Sequence, residues 1–275
     1  MSPQADLARW FAQLHSGAQP LLLPNPWDVG SARLLRELGF QALATTSSGF
    51  AATLGRLDGS VTRDEALAHG AALAAATDLP VSADLENGFA DAPDAVAETV
   101  ALAIEAGLVG CSIEDYTGDP GGPMYCMEHA VARIAAAAAA AHAGPVHLVL
   151  TARAENHIRG NPDLDDTIAR LRAYGAAGAD VLYAPGLTRI EDIRRVVAEV
   201  DRPVNVLTVP GAPPVSELAA AAVARISTGG TFAFAAIDAV AQAARELLDA
   251  GTYGFLERAG GGSALVRQAF RGDAA

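Results

Sequence analysis

Residues 81–115 read VSADLENGFADAPDAVAETVALAIEAGLVGCSIED, and this stretch decides the fold. A short apolar, β-branched run over 81–85 gives way to a polar loop, then to an Ala-rich helical stretch over 93–106 with Asp94 in its first turn. Gly107 stops that helix, and a second apolar run over 110–114 follows. Short apolar runs flanking a longer helical pattern, with a glycine stop between, make one β-α unit of a parallel sheet.

The alternation extends in both directions. Strands are predicted over 21–23, 42–46, 81–85, 110–114, 147–152, 181–184, 204–208 and 225–228. Helices are predicted over 29–38, 63–77, 93–106, 127–141, 164–176, 190–200, 215–222 and 234–250. Gly39 and Gly178 repeat the glycine stop, and Asp163 repeats the first-turn acid. Eight strands alternating with eight helices describe a closed (β/α)8 TIM-type barrel better than an open sheet. The length of 275 residues suits one such barrel, so a single domain over 1–275 is expected. A short helix over 6–15 precedes the first strand. Past the last barrel helix, 251–275 forms a C-terminal helical extension with Phe255, Leu256, Leu265, Val266 and Phe270 apolar. Those side chains bury either on their own barrel or on a second subunit; a homodimer or dimer of dimers, with the extension swapped between subunits, is the expectation.

Composition removes several function classes. Apolar residues make up 51% of the chain, yet no apolar run has the roughly 20 residues of a membrane span. Residues 1–10 lack a basic region followed by an apolar one, so a cytoplasmic protein is expected. A net charge of -13 repels a nucleic-acid backbone. Cys111 and Cys126 match no zinc or redox spacing. All 19 basic residues are arginine, and without a lysine amine there is no Schiff-base chemistry and no anchor for pyridoxal phosphate.

Barrel enzymes carry their sites where strands end at the C-terminal face. There the acids gather: Asp84 and Glu86 after the third strand, Glu114 and Asp115 after the fourth, Glu155 after the fifth, and Asp58 in the loop after the second. Alternation along an extended strand puts residues 84 and 86 on one face. Carboxylates converging in a barrel mouth repel unless a cation lies among them, and hard oxygen ligands suit Mg²⁺ or Mn²⁺. Taken singly, each acid reads more readily as a barrel-rim residue paired with an arginine or a helix N-terminus. Arg153 either holds a substrate carboxylate or enolate oxygen, or balances Glu114 or Glu155. Ser47, Ser48 and Gly49 offer hydroxyls and bare backbone to a carboxylate, or form an ordinary turn. Asn205 either orients the far end of a ligand or is satisfied by nearby backbone. The run 227–230, Ser-Thr-Gly-Gly, either binds phosphate or turns tightly into the last helix. The breaker-rich run 116–126 is either a mobile lid or an ordered loop.

The ordered set Asn25-Pro-Trp-Asp-Val-Gly-Ser-Ala-Arg33, Ser47-Ser-Gly49 with Leu54, Gly55 and Asp58, Asp84-Leu-Glu-Asn-Gly-Phe89, Ser112-Ile-Glu-Asp115 and Thr151-Ala-Arg-Ala-Glu155 resembles the isocitrate lyase/phosphoenolpyruvate mutase superfamily. The resemblance spans nearly the whole chain. It implies a Mg²⁺-dependent barrel acting on 2-oxo acids or their enolates, with Asp84 as direct metal ligand and Asp58, Glu86 and Glu114 acting through water. It also implies Ser48, Gly49 and Arg153 as holders of the oxo-acid end, and a last helix exchanged between paired subunits. The chain departs from the pattern after the fourth strand. Neither the lyases' Lys-Arg/Gly-Cys-Gly-His motif nor the mutases' lid lysine is present, Cys126 lies several residues late, and Pro185 stands where relatives carry a polar residue.

The expected function is Mg²⁺-dependent binding of a small 2-oxo acid resembling oxaloacetate or 2-oxoglutarate, with carbon-carbon cleavage by a lyase or decarboxylase, Arg153 and Glu114 being catalytic. The alternatives are a non-catalytic 2-oxo acid binder, a phosphoenolpyruvate or phosphonate-type mutase or hydrolase, and a phosphate-sugar barrel enzyme using Gly229 and Gly230.

Overall fold

The computed structural model describes residues 2–119, 121 and 124–271. The strands are β1 (Leu21–Leu23), β2 (Leu43–Ala44), β3 (Val81–Asp84), β4 (Gly110–Glu114), β5 (Val149–Arg153), β6 (Val181–Tyr183), β7 (Val204–Leu207) and β8 (Arg225–Ser227). All eight run parallel, in the order β1-β8-β7-β6-β5-β4-β3-β2. The two ends of that order meet where the Ala44 N–H donates to the Pro24 carbonyl at 3.1 Å, which makes the sheet a barrel.

The helices are α1 (Pro3–Leu14), α2 (Val29–Glu37), α3 (Ser47–Thr53), α4 (Arg63–Ala76), α5 (Pro93–Glu105), α6 (Met127–His142), α7 (Leu164–Ala176), α8 (Ile190–Glu199), α9 (Val215–Ala220), α10 (Thr231–Arg245) and α11 (Leu256–Ala269). Leu73, Val96, Ile134, Leu171 and Ile193, one from each of α4 to α8, pack with Leu150 and Leu182 of the strands in the main core. Side chains facing inward are left to fill the barrel itself, and these build the site.

The lower end is closed by α1. Ser2 caps it, its side chain accepting from the Ala5 N–H, and Ala5, Ala8 and Phe11 are buried. Phe11 lies so close to the start of β4 that a Cβ on Gly110 would stand 2.6 Å from its ring. Only a residue without a side chain lets α1 seat there.

Two stretches differ from expectation. Residues 47–53 form a helix instead of a strand end and turn: Thr46 caps α3, accepting from the Gly49 N–H. The last barrel helix starts at Thr231 rather than 234, and residues 246–250 wind as a π-helix before Gly251 ends it at φ 60. The extension does form a helix, α11, whose far end touches α2 of its own chain: Ala269 is buried and Gln268 Nε2 donates to Glu37 Oε1 at 2.7 Å. Leu256, Leu265 and Val266 are exposed along it, as are Phe234, Ile237 and Val240 along α10. Residues 272–275 of the extension lie outside the described residues. Among the described residues no helix is long and apolar enough to cross a membrane.

Candidate active site and metal centre

At the upper end of the barrel Asp84 terminates β3, Glu114 terminates β4 and Arg153 terminates β5. Arg153 connects them. Its NH1 donates to Asp84 Oδ1 at 3.0 Å, its NH2 stands 3.1 Å from Glu114 Oε2, and its Nε donates to Glu155 Oε1 at 3.0 Å. Its guanidinium also lies over the Tyr183 ring, 5.1 Å from the centroid. Burial works against the Arg153 charge, but Glu155, Glu114 and Asp84 together outweigh it and hold the group protonated well above its usual range. The balancing role that sequence left open is therefore occupied, and it includes Asp84.

Asp84 is fixed from three further sides. Its Oδ2 accepts from the Ser47 N–H at 3.3 Å, its Oδ1 lies 3.4 Å from Ser112 Oγ, and its own N–H donates to Thr45 Oγ1 at 2.8 Å. Glu86 reaches the same region by a route that alternation does not describe. The strand ends at Asp84, and Glu86 sits at φ 48 in the turn that follows. A non-glycine residue in that left-handed region is uncommon and costs about 1–3 kcal/mol. Burial first, then the charges of Asp84 and Asp58, push the Glu86 carboxyl up to about 7. Its Oε1 is buried without a hydrogen-bond partner. Burial also raises Glu114 well above the carboxylate range, with Glu155 and Asp84 adding to the effect. Asp58 is exposed on the loop after α3 and faces the same mouth.

Two cavities of about 190 Å³ each meet at Arg153. One descends into the barrel past Ser47, Ser48, Asp84 and Tyr183; the other opens between Asp58, Glu86, Glu114 and Tyr116. Ser47 and Ser48 line the first, whereas Gly49 does not: its N–H goes to Thr46 Oγ1 at 3.3 Å, and a Cβ there would stand 2.6 Å from the Thr46 methyl. Asn205 lies at the floor, 1% exposed, with both ends of its amide engaged; Nδ2 donates to Ser227 Oγ and Oδ1 accepts from Arg225 Nε, each at 2.9 Å.

Several strand-end residues are turned elsewhere. Asp115 faces away from the mouth, accepting from Tyr174 Oη at 2.5 Å, Arg170 NH1 at 3.0 Å and the Glu155 N–H at 2.9 Å. The amides of Thr228 and Gly229, candidate phosphate donors, are both given to Asn25 Oδ1, at 3.0 and 2.8 Å. Of the two glycines expected to hold phosphate, Gly229 therefore has its amide engaged within the protein. The run 116–126 includes Pro120, Gly122 and Pro123, which lie outside the described residues, so the lid expectation falls partly on them. Within the described part Tyr116 bridges to Met124, and Tyr116 packs under Arg159, 3.6 Å from ring centroid to guanidinium.

Arg159 is a site residue that sequence reasoning missed. It stands 3.7 Å from Glu114 Oε1 and 3.5 Å from Glu155 Oε2, a second cation at the acidic mouth. Its signal was the spacing Glu155 to Arg159, an i,i+4 pair in the loop after β5.

The donor set fits a hard divalent cation: carboxylates from three successive segments, two of them raised by burial and one with an orphaned buried oxygen, surround space open to solvent. The family resemblance implies Asp84 as the direct ligand, with Asp58, Glu86 and Glu114 acting through water.

The phosphoenolpyruvate phosphomutase family model matches residues 11–248. A lyase/mutase-like protein of Burkholderia cenocepacia J2315 superposes with a TM-score of 0.93 at 52% identity, covering 96% of each chain. The uncharacterised protein Rv1998c of Mycobacterium tuberculosis is 35% identical over 241 residues, 87% of this chain and 89% of that one. An oxaloacetate acetylhydrolase, solved with its product oxalate, superposes with a TM-score of 0.83 at 25% identity, covering 96% of this chain and 97% of that one. The barrel, the acids at its mouth and these matches together make the chain a member of the phosphoenolpyruvate mutase/isocitrate lyase superfamily.

Proposed function

We propose that this protein is a divalent-cation-dependent enzyme that breaks a carbon-carbon bond in a small 2-oxo acid of the oxaloacetate or 2-oxoglutarate kind. The observation that carries the reading is the meeting of Asp84, Glu114 and Arg153 at one barrel mouth, with the unpartnered Glu86 oxygen beside them. Mg²⁺ or Mn²⁺ held there supplies Lewis acidity toward the keto and carboxylate oxygens. The chain's residues do the rest. Arg153, kept charged by its acids, donates to the oxygen that gains negative charge when the bond breaks. Ser47 and Ser48, at the start of α3, offer hydroxyl and backbone donors to the carboxylate next to the carbonyl. Glu114, which burial biases toward its protonated form, stands 3.1 Å from Arg153 and is the acid that delivers a proton.

For oxaloacetate, decarboxylation releases carbon dioxide, leaves the electron pair in the enolate of pyruvate, and ends with a proton added at the former leaving position. The oxaloacetate acetylhydrolase neighbour supports an acid of this size. The exposed apolar faces of α10 and α11 support pairing of two copies of the chain through these helices. A specific observation favours a second reading, a non-catalytic binder: where lyases and mutases carry their lid motif, Tyr116 is packed under Arg159 instead. Pyruvate formation from oxaloacetate with Mg²⁺, compared with Asp84→Ala, separates the two. Turnover in the wild type and its loss in the variant supports the enzyme; binding with no turnover supports the binder.

A further inference from the structure

Arg225 begins β8 and is 4% exposed inside the barrel. Its neighbours are all uncharged. Nε donates to Asn205 Oδ1 at 2.9 Å, NH2 donates to Thr151 Oγ1 at 3.0 Å, and NH1 stands 3.2 Å from His15 Nε2. His15 stays neutral, because burial and the Arg225 charge press its pKa down to about 3. Among the described residues no carboxylate forms an ion pair with Arg225, in contrast to Arg153 with three. A guanidinium out of water without a counter-charge is strongly unfavourable.

Arg133 shows what a purely structural buried arginine looks like here. It is 1% exposed, donates to the carbonyls of Glu114, Asn87 and Ala90, and lines neither cavity at the mouth. Arg225 differs in one decisive respect: it lines the cavity that also contains Asp84, Ser47 and Arg153. The register explains its place. Glu114, Arg153, Tyr183, Asn205 and Arg225 are successive lateral partners across β4 to β8. Strand stagger in a barrel carries such a row along the axis, here from the acidic mouth to the cation beside His15.

We propose that Arg225, positioned by Asn205 and Thr151, is the subsite for the far carboxylate of a dicarboxylic 2-oxo acid whose keto-acid end lies at Asp84 and Arg153. This rests on the 2-oxo acid reading above and adds to it that the cavity selects doubly over singly charged acids. The ligand's second carboxylate supplies the counter-charge that the protein does not.

Oxaloacetate and 2-oxobutyrate differ only in a carboxylate against a methyl at the far carbon, so they form the probe pair, titrated with Mg²⁺ by intrinsic fluorescence. The wild type should prefer oxaloacetate. Arg225→Met should weaken it roughly 10- to 100-fold, the range of a lost charged hydrogen bond, and leave 2-oxobutyrate within about twofold. Asn205→Asp serves if that variant folds poorly, since it places a carboxylate beside Nε. It should abolish the preference while raising the Tm of the ligand-free protein. Equal losses for both acids in both variants, or no loss in either, would overturn the assignment while leaving the 2-oxo acid reading standing. Failure of the wild type to bind either acid would end both.

Discussion

Arg153 donates to Asp84 at 3.0 Å, so the carboxylate proposed as the direct metal ligand already has a cation beside it. The same guanidinium serves Glu114 and Glu155, which are 7% and 1% exposed in their side chains. Removing one partner of a buried charge cluster is far more damaging than the cluster's net worth, because the others are left buried and unpaired. Arg153→Met is therefore expected to lower unfolding stability by about 3–5 kcal/mol in urea denaturation. Added Mg²⁺ should recover more stability in this variant than in the wild type, since it replaces the missing positive charge.

His15 gives the fold a defined acid sensitivity. The folded protein keeps its ring neutral down to about 3, whereas the unfolded chain protonates it near 6.5. The unfolded state thus binds the extra proton between these values. The contribution of His15 is complete above pH 6.5 and is lost as pH falls toward 3, at about 1.4 kcal/mol per pH unit. The stability of His15→Gln, followed by denaturant titration across that window, should fall less steeply than the wild type's by this slope.

Gly110 and Phe11 test the lower plug. Gly110→Ala puts a methyl 2.6 Å from the Phe11 ring, an overpacking expected to cost about 1–3 kcal/mol. Adding Phe11→Leu to it should restore part of the loss, and chemical denaturation of the two variants reads the difference. Independent, additive losses would mean that the two residues do not meet as described.

Tyr174 and Asp115 hold the loop that carries Glu155. The Tyr174 hydroxyl reaches Asp115 Oδ2 at 2.5 Å, and Asp115 Oδ1 accepts the Glu155 N–H. Tyr174→Phe should lower stability by about 1–3 kcal/mol, as expected for a buried hydrogen bond to a charged group. Because the ring stays, Mn²⁺ binding should remain within about twofold of the wild type, the change in a pair turned away from the mouth being small.

The barrel was legible because its signal is repetitive. Short apolar runs such as 110–114 and Ala-rich helices such as 127–142 recur with glycine stops, and an error of a residue or two at one end leaves the alternation intact. The candidate site was legible as a set of strand-end acids that the fold brings together, but not in its local geometry. Glu86 adopts a left-handed turn that no alternation rule foresees. The helix α3 is only seven residues long and carries Gly49 inside it, which lowers its helical propensity. That glycine is there because Thr46, Trp27 and Ala233 crowd the position, a tertiary constraint with no local trace. Thr46 ahead of Ser47 was the one cap signal available. Arg225 also had a trace: a charged residue within the apolar strand Ala-Arg-Ile-Ser, where parallel strands are usually apolar throughout.

Mn²⁺ titration followed by electron paramagnetic resonance tests the central claim most directly, because it counts bound ions without needing a substrate. One ion per chain is expected in the wild type. Asp84→Ala should abolish binding over the same range, and Glu86→Gln and Glu114→Gln should each weaken it by about 10–100-fold, as changes around a ligand do. Undiminished Mn²⁺ binding in Asp84→Ala, or none in the wild type, would contradict the account.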